Sequence, residues 1–270
     1  MTTHADEIRR RFRAEYAAHR ASEGRDRSAV DARVLPYVTE GPLARQWTVR
    51  ARSWEAFEAR VLRPARARAD ARAAGPLRLL DLGAGNGWLA HRAALAGAET
   101  LALDLRCDTV DGLGAAPPGS PMARVTASFE QLPLGDASFD VVVFNASLHY
   151  AEQLGRALAE ARRVARRGAR IVVLDSPFYP TREAGEEMMR EKRLDAARRF
   201  GARADALLAI AFVEYLTRER LAEASRGLDL GPWRRHRVWY PLWYELRGVR
   251  ALLRGERVPS RFDLWEATAA

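Results

Sequence analysis

Cysteine is almost missing from this chain of 270 residues: Cys107 is the only one. A single thiol excludes an intramolecular disulfide and a cysteine-built zinc site, and no metal is expected. Lysine is as scarce, Lys192 standing alone. No stretch approaches the roughly 18 consecutive apolar residues that a membrane span needs. Met1–Arg20 is charged and has no apolar segment of the kind that directs export. These absences lead to the expectation of a cytoplasmic protein with no membrane span. No internal repeat is visible either.

Positive charge is abundant, with 44 Lys and Arg against 35 Asp and Glu and a formal net charge of +9. Such a balance suggests a polyanionic partner, nucleic acid first. The arginines are scattered, however, and mixed with acids, as in 182–199. With so many alanines beside them they resemble the imprint of a GC-rich coding background. Dispersed charge of this kind is a solvated face, which argues against nucleic acid.

Apolar spacing organises the chain into two regions. Ile8, Phe12 and Tyr16 recur at helical spacing within 5–21, and Trp47, Trp54, Phe57 and Val61 lie near one face of a helix expected over 43–62. Residues 63–76 read as a short helix or linker ending at Gly75-Pro76. Residues 1–74 are therefore expected to form an N-terminal helical cap or lid. From Leu77 onward, strands alternate with helices: strands at 77–82, 100–105, 122–127, 139–145 and 171–175, helices at 87–97 and 152–167, the latter closed by Gly168. Such alternation implies an α/β fold with a parallel sheet covered on both faces. Residues 75–270 are expected to form this domain, with a helical insertion at about 177–227 (helices at 183–199, 204–215 and 217–226). Late segments 235–240 and 261–266 read as strands around a helix at 242–253.

The chemistry concentrates where the first strand ends, in Asp81-Leu82-Gly83-Ala84-Gly85-Asn86-Gly87. Glycines at alternate positions suit a sharp turn that a ligand approaches closely. Dinucleotide loops use G-x-G-x-x-G and present the turn to a pyrophosphate. Here the spacing is G-x-G-x-G, and Asp81 precedes it. An anion there would oppose a pyrophosphate and suit an ammonium or sulfonium cation, which weighs against a dinucleotide-dependent oxidoreductase. Asp104, at the end of the second strand, stands at about the distance in sequence at which an acid reaches ribose hydroxyls.

Ser128-Phe129-Glu130-Gln131-Leu132-Pro133 and Ser138-Phe139-Asp140-Val141-Val142-Val143 complete a pattern that resembles the class I S-adenosylmethionine (SAM)-dependent methyltransferases, especially the small-molecule type, over about 77–175. The resemblance implies a Rossmann-like seven-stranded sheet, mostly parallel with an antiparallel C-terminal strand, and SAM as cofactor with S-adenosylhomocysteine (SAH) as product. It further implies that Gly83, Gly85 and Gly87 line the methionine part and that Asp104 binds the ribose; Asp81, Ala84 and Asn145 are further candidate cofactor-binding residues. Leu105, Ser128 and Phe129 would meet adenine; the family commonly has Asp at the position of Ser128.

Asn145-Ala146-Ser147-Leu148-His149-Tyr150 ends the fourth strand, where an acceptor would meet SAM. His149 is the candidate general base, since imidazole titrates near neutrality, although it would equally well shape the pocket. Tyr16, Tyr37, Trp47, Tyr150 and Tyr179 are the candidate acceptor-binding residues. Asp175 and Ser176, after the fifth strand, read either as lining for the acceptor pocket or as turn residues. Trp47, Trp54, Trp233, Trp239, Trp243 and Tyr244 read either as an aromatic acceptor pocket or, as such residues are more often, as packing anchors.

The expected activity is methyl transfer to a small-molecule acceptor, in secondary-metabolite or sugar-linked biosynthesis, by a monomer or homodimer. Two alternatives stand beside it: an RNA or other nucleic-acid methyltransferase, and a SAM-binding protein that uses SAM for non-methylating chemistry. Against the first, Asn145-Ala146-Ser147-Leu148 is not an N/D-P-P-Y sequence, and Cys107 is not preceded by proline.

Overall fold

The computed structural model describes residues 33–71, 75–201 and 210–270. The helix expected at 5–21, and Tyr16 with it, lie outside the described residues.

Seven strands form one sheet in the order β3-β2-β1-β4-β5-β7-β6. β1 (Arg78–Leu82), β2 (Glu99–Asp104), β3 (Met122–Thr126), β4 (Phe139–Asn145) and β5 (Ala165–Leu174) are parallel. β7 (Leu264–Thr268) inserts antiparallel beside β5 and carries β6 (Arg234–His236) antiparallel on its far edge. This is the Rossmann-like arrangement with an antiparallel C-terminal element that the family resemblance implies. β4 lies between β1 and β5 with both faces covered, which is why it reads as an unbroken apolar run and not an alternation.

Helices cover both faces. On one side α4 (Leu154–Val164) and α6 (Arg218–Ala224) bury Leu158, Val164 and Leu221 against Leu80, Val142 and Ile171. On the other, α1 (Ala44–Phe57), α2 (Arg63–Ala71) and α3 (Trp88–Leu95) bury Trp54, Phe57, Ala65 and Leu89 against Leu79, Val141 and Val172. Described residues before β1 thus form an outer layer on the sheet face. A π turn, Glu58–Leu62, joins α1 to α2. Its cause is Pro64, which has no N–H for the Arg60 carbonyl four residues earlier; Arg170 Nη1 donates to that carbonyl at 3.1 Å.

Several boundaries differ from expectation. The helix expected to end at Gly168 stops at Val164, and β5 begins at once. Gly168 (φ 78°) sits where the β4–β5 register shifts, so it serves a strand irregularity and not a helix cap. Of the helix expected at 204–215, the described residues 210–215 are not helical. The strand expected at 235–240 ends at His236, because the Val238 amide leaves the ladder and donates to Asp263 Oδ1 at 3.1 Å. The helix expected at 242–253 is split at Leu246 into α7 (Leu242–Glu245) and α8 (Arg247–Leu253). α5 (Arg182–Phe200) begins at Thr181, whose hydroxyl accepts from the Ala184 amide. Among the described residues no helix is long and apolar enough to cross a membrane.

Candidate active site

The C-terminal ends of β1, β2 and β4 meet at the glycine turn. Gly83, Gly85 and Gly87 all have left-handed backbone, with φ of 71°, 56° and 71°. Their surroundings separate them. A Cβ at Gly83 would collide with Ser147, and one at Gly87 with Met122, so close packing excludes side chains at both. At Gly85 the nearest atom would be the Asp111 carbonyl oxygen at 3.5 Å, so the turn is open there.

The amides of Gly83 and Ala84 donate to the Leu103 carbonyl, and the Gly85 amide donates to Asp104 Oδ2 at 2.8 Å. Asp104 Oδ1 accepts from the Arg106 amide at 2.8 Å. Each carboxylate oxygen of Asp104 thus uses one lone pair on the backbone and keeps another. Burial raises the Asp104 pKa, and these two amides oppose the rise. Next to it, Leu105 is 46% exposed. Phe129 packs edge-on against Phe144 with ring centroids 5.7 Å apart, and its ring borders Gly83. The Ser128 hydroxyl accepts from the Glu130 amide at 3.1 Å. Asn145 is buried, and its Oδ1 has no hydrogen-bond partner.

Asp81 is the acid that precedes the turn. The sequence suggests an anion facing a cationic ligand, but its side chain is fully buried on the α3 face of β1, and neither oxygen has a partner. Burial pushes its pKa up to about 8; the Ala90 amide acts in the opposite sense, and Asp104 adds a further rise. Burial thus favours the neutral acid of Asp81 near pH 7 and opposes the charge that the sequence reading assigns to it.

His149 lies on a 3₁₀ turn, Leu148–Tyr150, beyond β4. Its Nδ1 is 3.3 Å from Ser176 Oγ, and its ring centroid is 4.3 Å from that of Tyr150. Burial, then the nearby charges of Lys192 and Arg50, push its pKa down to about 3. Its surroundings therefore favour the neutral imidazole and oppose the titration near neutrality that a general base at this position would use.

The candidate acceptor residues scatter. Tyr150 stays with His149 and packs edge-on against Phe212. Tyr179 is buried against Tyr215, with the Arg257 guanidinium 5.1 Å from its ring centroid. Trp47 packs edge-on against Trp88 at the start of α3, 5.9 Å between centroids. Tyr37 is 48% exposed and lies under Arg92 of α3.

Asp175, a candidate from its place after the fifth strand, is joined at the end of β5 by residues the sequence did not single out. Asp175 is buried with a left-handed backbone (φ 51°). Ser53 of α1 donates to its Oδ1, and Tyr240 Oη lies 2.9 Å from Ser53 Oγ. Asp175 Oδ2 is buried without a partner. Burial raises the Asp175 pKa to about 6, with Arg50 and Ser53 opposing. A cavity of about 280 Å³ opens beside Asp175, between α1 and the α7–α8 segment, where Trp243 and Tyr244 stand. Ser147, also unsignalled, donates to the Leu82 carbonyl and ties β4 to β1 below the glycine turn.

Residues 80–173 match the family model described as a methyltransferase domain. The chain is 40% identical over 99 residues to a malonyl-[acyl-carrier protein] O-methyltransferase of Methylococcus capsulatus, covering 36% of each protein. It is 34% identical over 131 residues to a ubiquinone/menaquinone biosynthesis C-methyltransferase of Methylobacterium nodulans, covering 46% of this chain and 49% of that one. The matched region therefore spans less than half the length of these relatives. Among solved structures, the YcgJ protein of Bacillus subtilis superposes with a TM-score of 0.52 at 17% identity, over 72% of this chain and 92% of that one, which is a likeness of fold.

Proposed function

We propose that this chain, whose residues 80–173 carry a class I SAM-dependent methyltransferase domain, transfers a methyl group from SAM to a small-molecule acceptor, in secondary-metabolite or sugar-linked biosynthesis. The observation that carries the reading is the glycine turn open at Gly85 and held to Asp104.

The residues present fit SAM. Asp104 has a free lone pair on each oxygen for a ribose diol. Leu105 and Phe129 offer apolar surface for adenine, the buried Asn145 Oδ1 lacks a donor, and the left-handed turn at Gly85 leaves room for close approach. Bound SAM supplies a sulfonium methyl that is electrophilic without further activation. The chain then has to hold the acceptor in line and keep water out, and alignment alone accounts for much of the rate in such reactions. His149, neutral at pH 7, orients an acceptor by hydrogen bonding. Asp175, whose pKa lies nearer neutrality, is the better placed of the two to take a proton.

A small acceptor is favoured over nucleic acid by where the arginines go. Many are tied to carboxylates, such as Arg163 to Glu160 and Asp136, Arg170 to Glu266, and Arg237 and Arg261 to Glu245.

Calorimetry with SAM, SAH and NAD tests the reading. SAM and SAH should each bind at one site per chain, and NAD should not. Binding of NAD without SAM would overturn it. SAH release in the presence of acceptors separates a methyltransferase from a protein that uses SAM for other chemistry.

A further inference from the structure

The cavity beside Asp175 has a chemical polarity of its own. Three guanidinium groups line it, from Arg45 and Arg50 on α1 and Arg247 on α8, against one carboxyl, that of Asp175. Arg45 stands over the Trp243 ring, 5.7 Å from its centroid, and has no carboxylate partner among the described residues. Arg247 lies 3.6 Å from the Tyr244 ring centroid and donates to the carbonyls of Tyr244 and Ser260, again with no carboxylate. Neighbouring arginines behave differently: Arg237 and Arg261 share Glu245, and Arg235 binds Asp263. The guanidinium groups of Arg45 and Arg247 are thus held in place by rings and carbonyls, which fix their position without neutralising their charge.

At the inner end the requirement reverses. Asp175 is 6% exposed and on the cavity wall; its Oδ1 is taken by Ser53, and its Oδ2 is buried without a donor, so a ligand reaches it through a small turn of the carboxyl. A buried carboxyl oxygen without a donor is costly to fold around unless something donates to it in the working state. Trp243, Tyr244 and Phe262 give the cavity flat, apolar wall. The volume, about 280 Å³, is at the small end for ligand sites and holds roughly one substituted ring. The Arg50 charge acts on both Asp175 and His149.

We propose that this cavity binds a small aromatic anion that also carries a hydroxyl. The anionic group, carboxylate or phosphate, pairs with Arg45 and Arg247; the ring lies among Trp243, Tyr244 and Phe262; the hydroxyl donates to Asp175. Describing this ligand as the methyl acceptor rests on the methyltransferase reading above, whereas the binding itself does not.

The test is equilibrium binding of the hydroxybenzoate isomers, of 4-hydroxyphenyl phosphate and of neutral 4-hydroxybenzamide to the full chain, with and without SAH. At least one anion should bind, and more tightly than the amide by about ten-fold, the worth of a charge-assisted hydrogen bond. Arg45→Gln, an exposed position that should not disturb folding, should weaken the anion by a similar factor and leave SAH affinity unchanged. Preference for the phosphate or for a carboxylate identifies the anionic group. Equal binding of anion and amide, no binding by any member of the set, or an Arg45→Gln variant with wild-type anion affinity would overturn the proposal. Failure of SAH to bind, with anion binding intact, would overturn the methyltransferase reading alone.

Discussion

The Gly85 amide donates to Asp104 Oδ2 at 2.8 Å, so the acid at the end of β2 holds the glycine turn of β1 in shape. The Arg106 amide uses the other oxygen. Asp104→Ala should therefore do two things. SAM should bind more weakly by about 1.5–3 kcal/mol, and the two orphaned amides should lower stability by about 1 kcal/mol or more. Calorimetry and thermal melting read both. A folded variant with wild-type SAM affinity would assign the ribose to another residue.

Gly83→Ala and Gly85→Ala should behave differently although both positions have positive φ. At Gly83 the new methyl collides with Ser147, so folding itself should suffer. At Gly85 there is room, and the folding cost should be only the left-handed strain of about 1–2 kcal/mol. SAM affinity should nevertheless fall, since the methyl projects into the open turn. Equal melting temperatures for the two variants would contradict this distinction.

His149 should not titrate between pH 5 and 8, because burial and the charges of Lys192 and Arg50 hold its pKa near 3. Imidazole chemical shifts followed by NMR should stay flat across that range. In an activity profile, a limb near pH 6.5 that disappears in His149→Gln would show that the imidazole titrates after all.

Asp81 links folding to pH. Its pKa is raised from 3.8 to about 8, so between those values the folded protein holds a proton that the unfolded chain has released. Stability should then fall as pH rises through this window, by up to about 1.4 kcal/mol per pH unit. Asp175 contributes with the same sign from 3.8 to about 6. Asp81→Asn should flatten the slope between pH 6 and 8 in urea titrations. Parallel profiles for the variant and the parent would mean that the folded protein ionises Asp81 at no cost.

Truncation after Gly255 should destabilise the whole domain while leaving the glycine turn and Asp104 in the chain. β7 lies between β5 and β6, pairing Val173 with Trp265 and Arg235 with the same residue. Removing it unpairs both neighbours and uncovers Phe178, which stacks on Trp265. An unchanged melting temperature would mark the tail as peripheral.

Local spacing in the sequence determined the alternation of strands and helices, the glycine turn and the acid that closes it, since each depends on residues a few positions apart or on two adjacent strands. Trp265 and Leu264 likewise fall on opposite faces of the sheet, as strand periodicity requires. Only the tertiary structure decided the burial of Asp81 and His149, and with it the direction of their pKa shifts, because desolvation depends on what other segments pack over a side chain. Asp175, Trp243 and Tyr244 were candidate pocket residues in the sequence, but that they line one cavity with Arg45 and Arg247 was not legible there, for a related reason. Ser53 meets Asp175 across 122 positions, and Arg45, Trp243 and Arg247 come together from segments with no shared period. An arginine over a tryptophan and an arginine on a solvated face have the same local sequence; the packing of α1 against α7 and α8 is what distinguishes them.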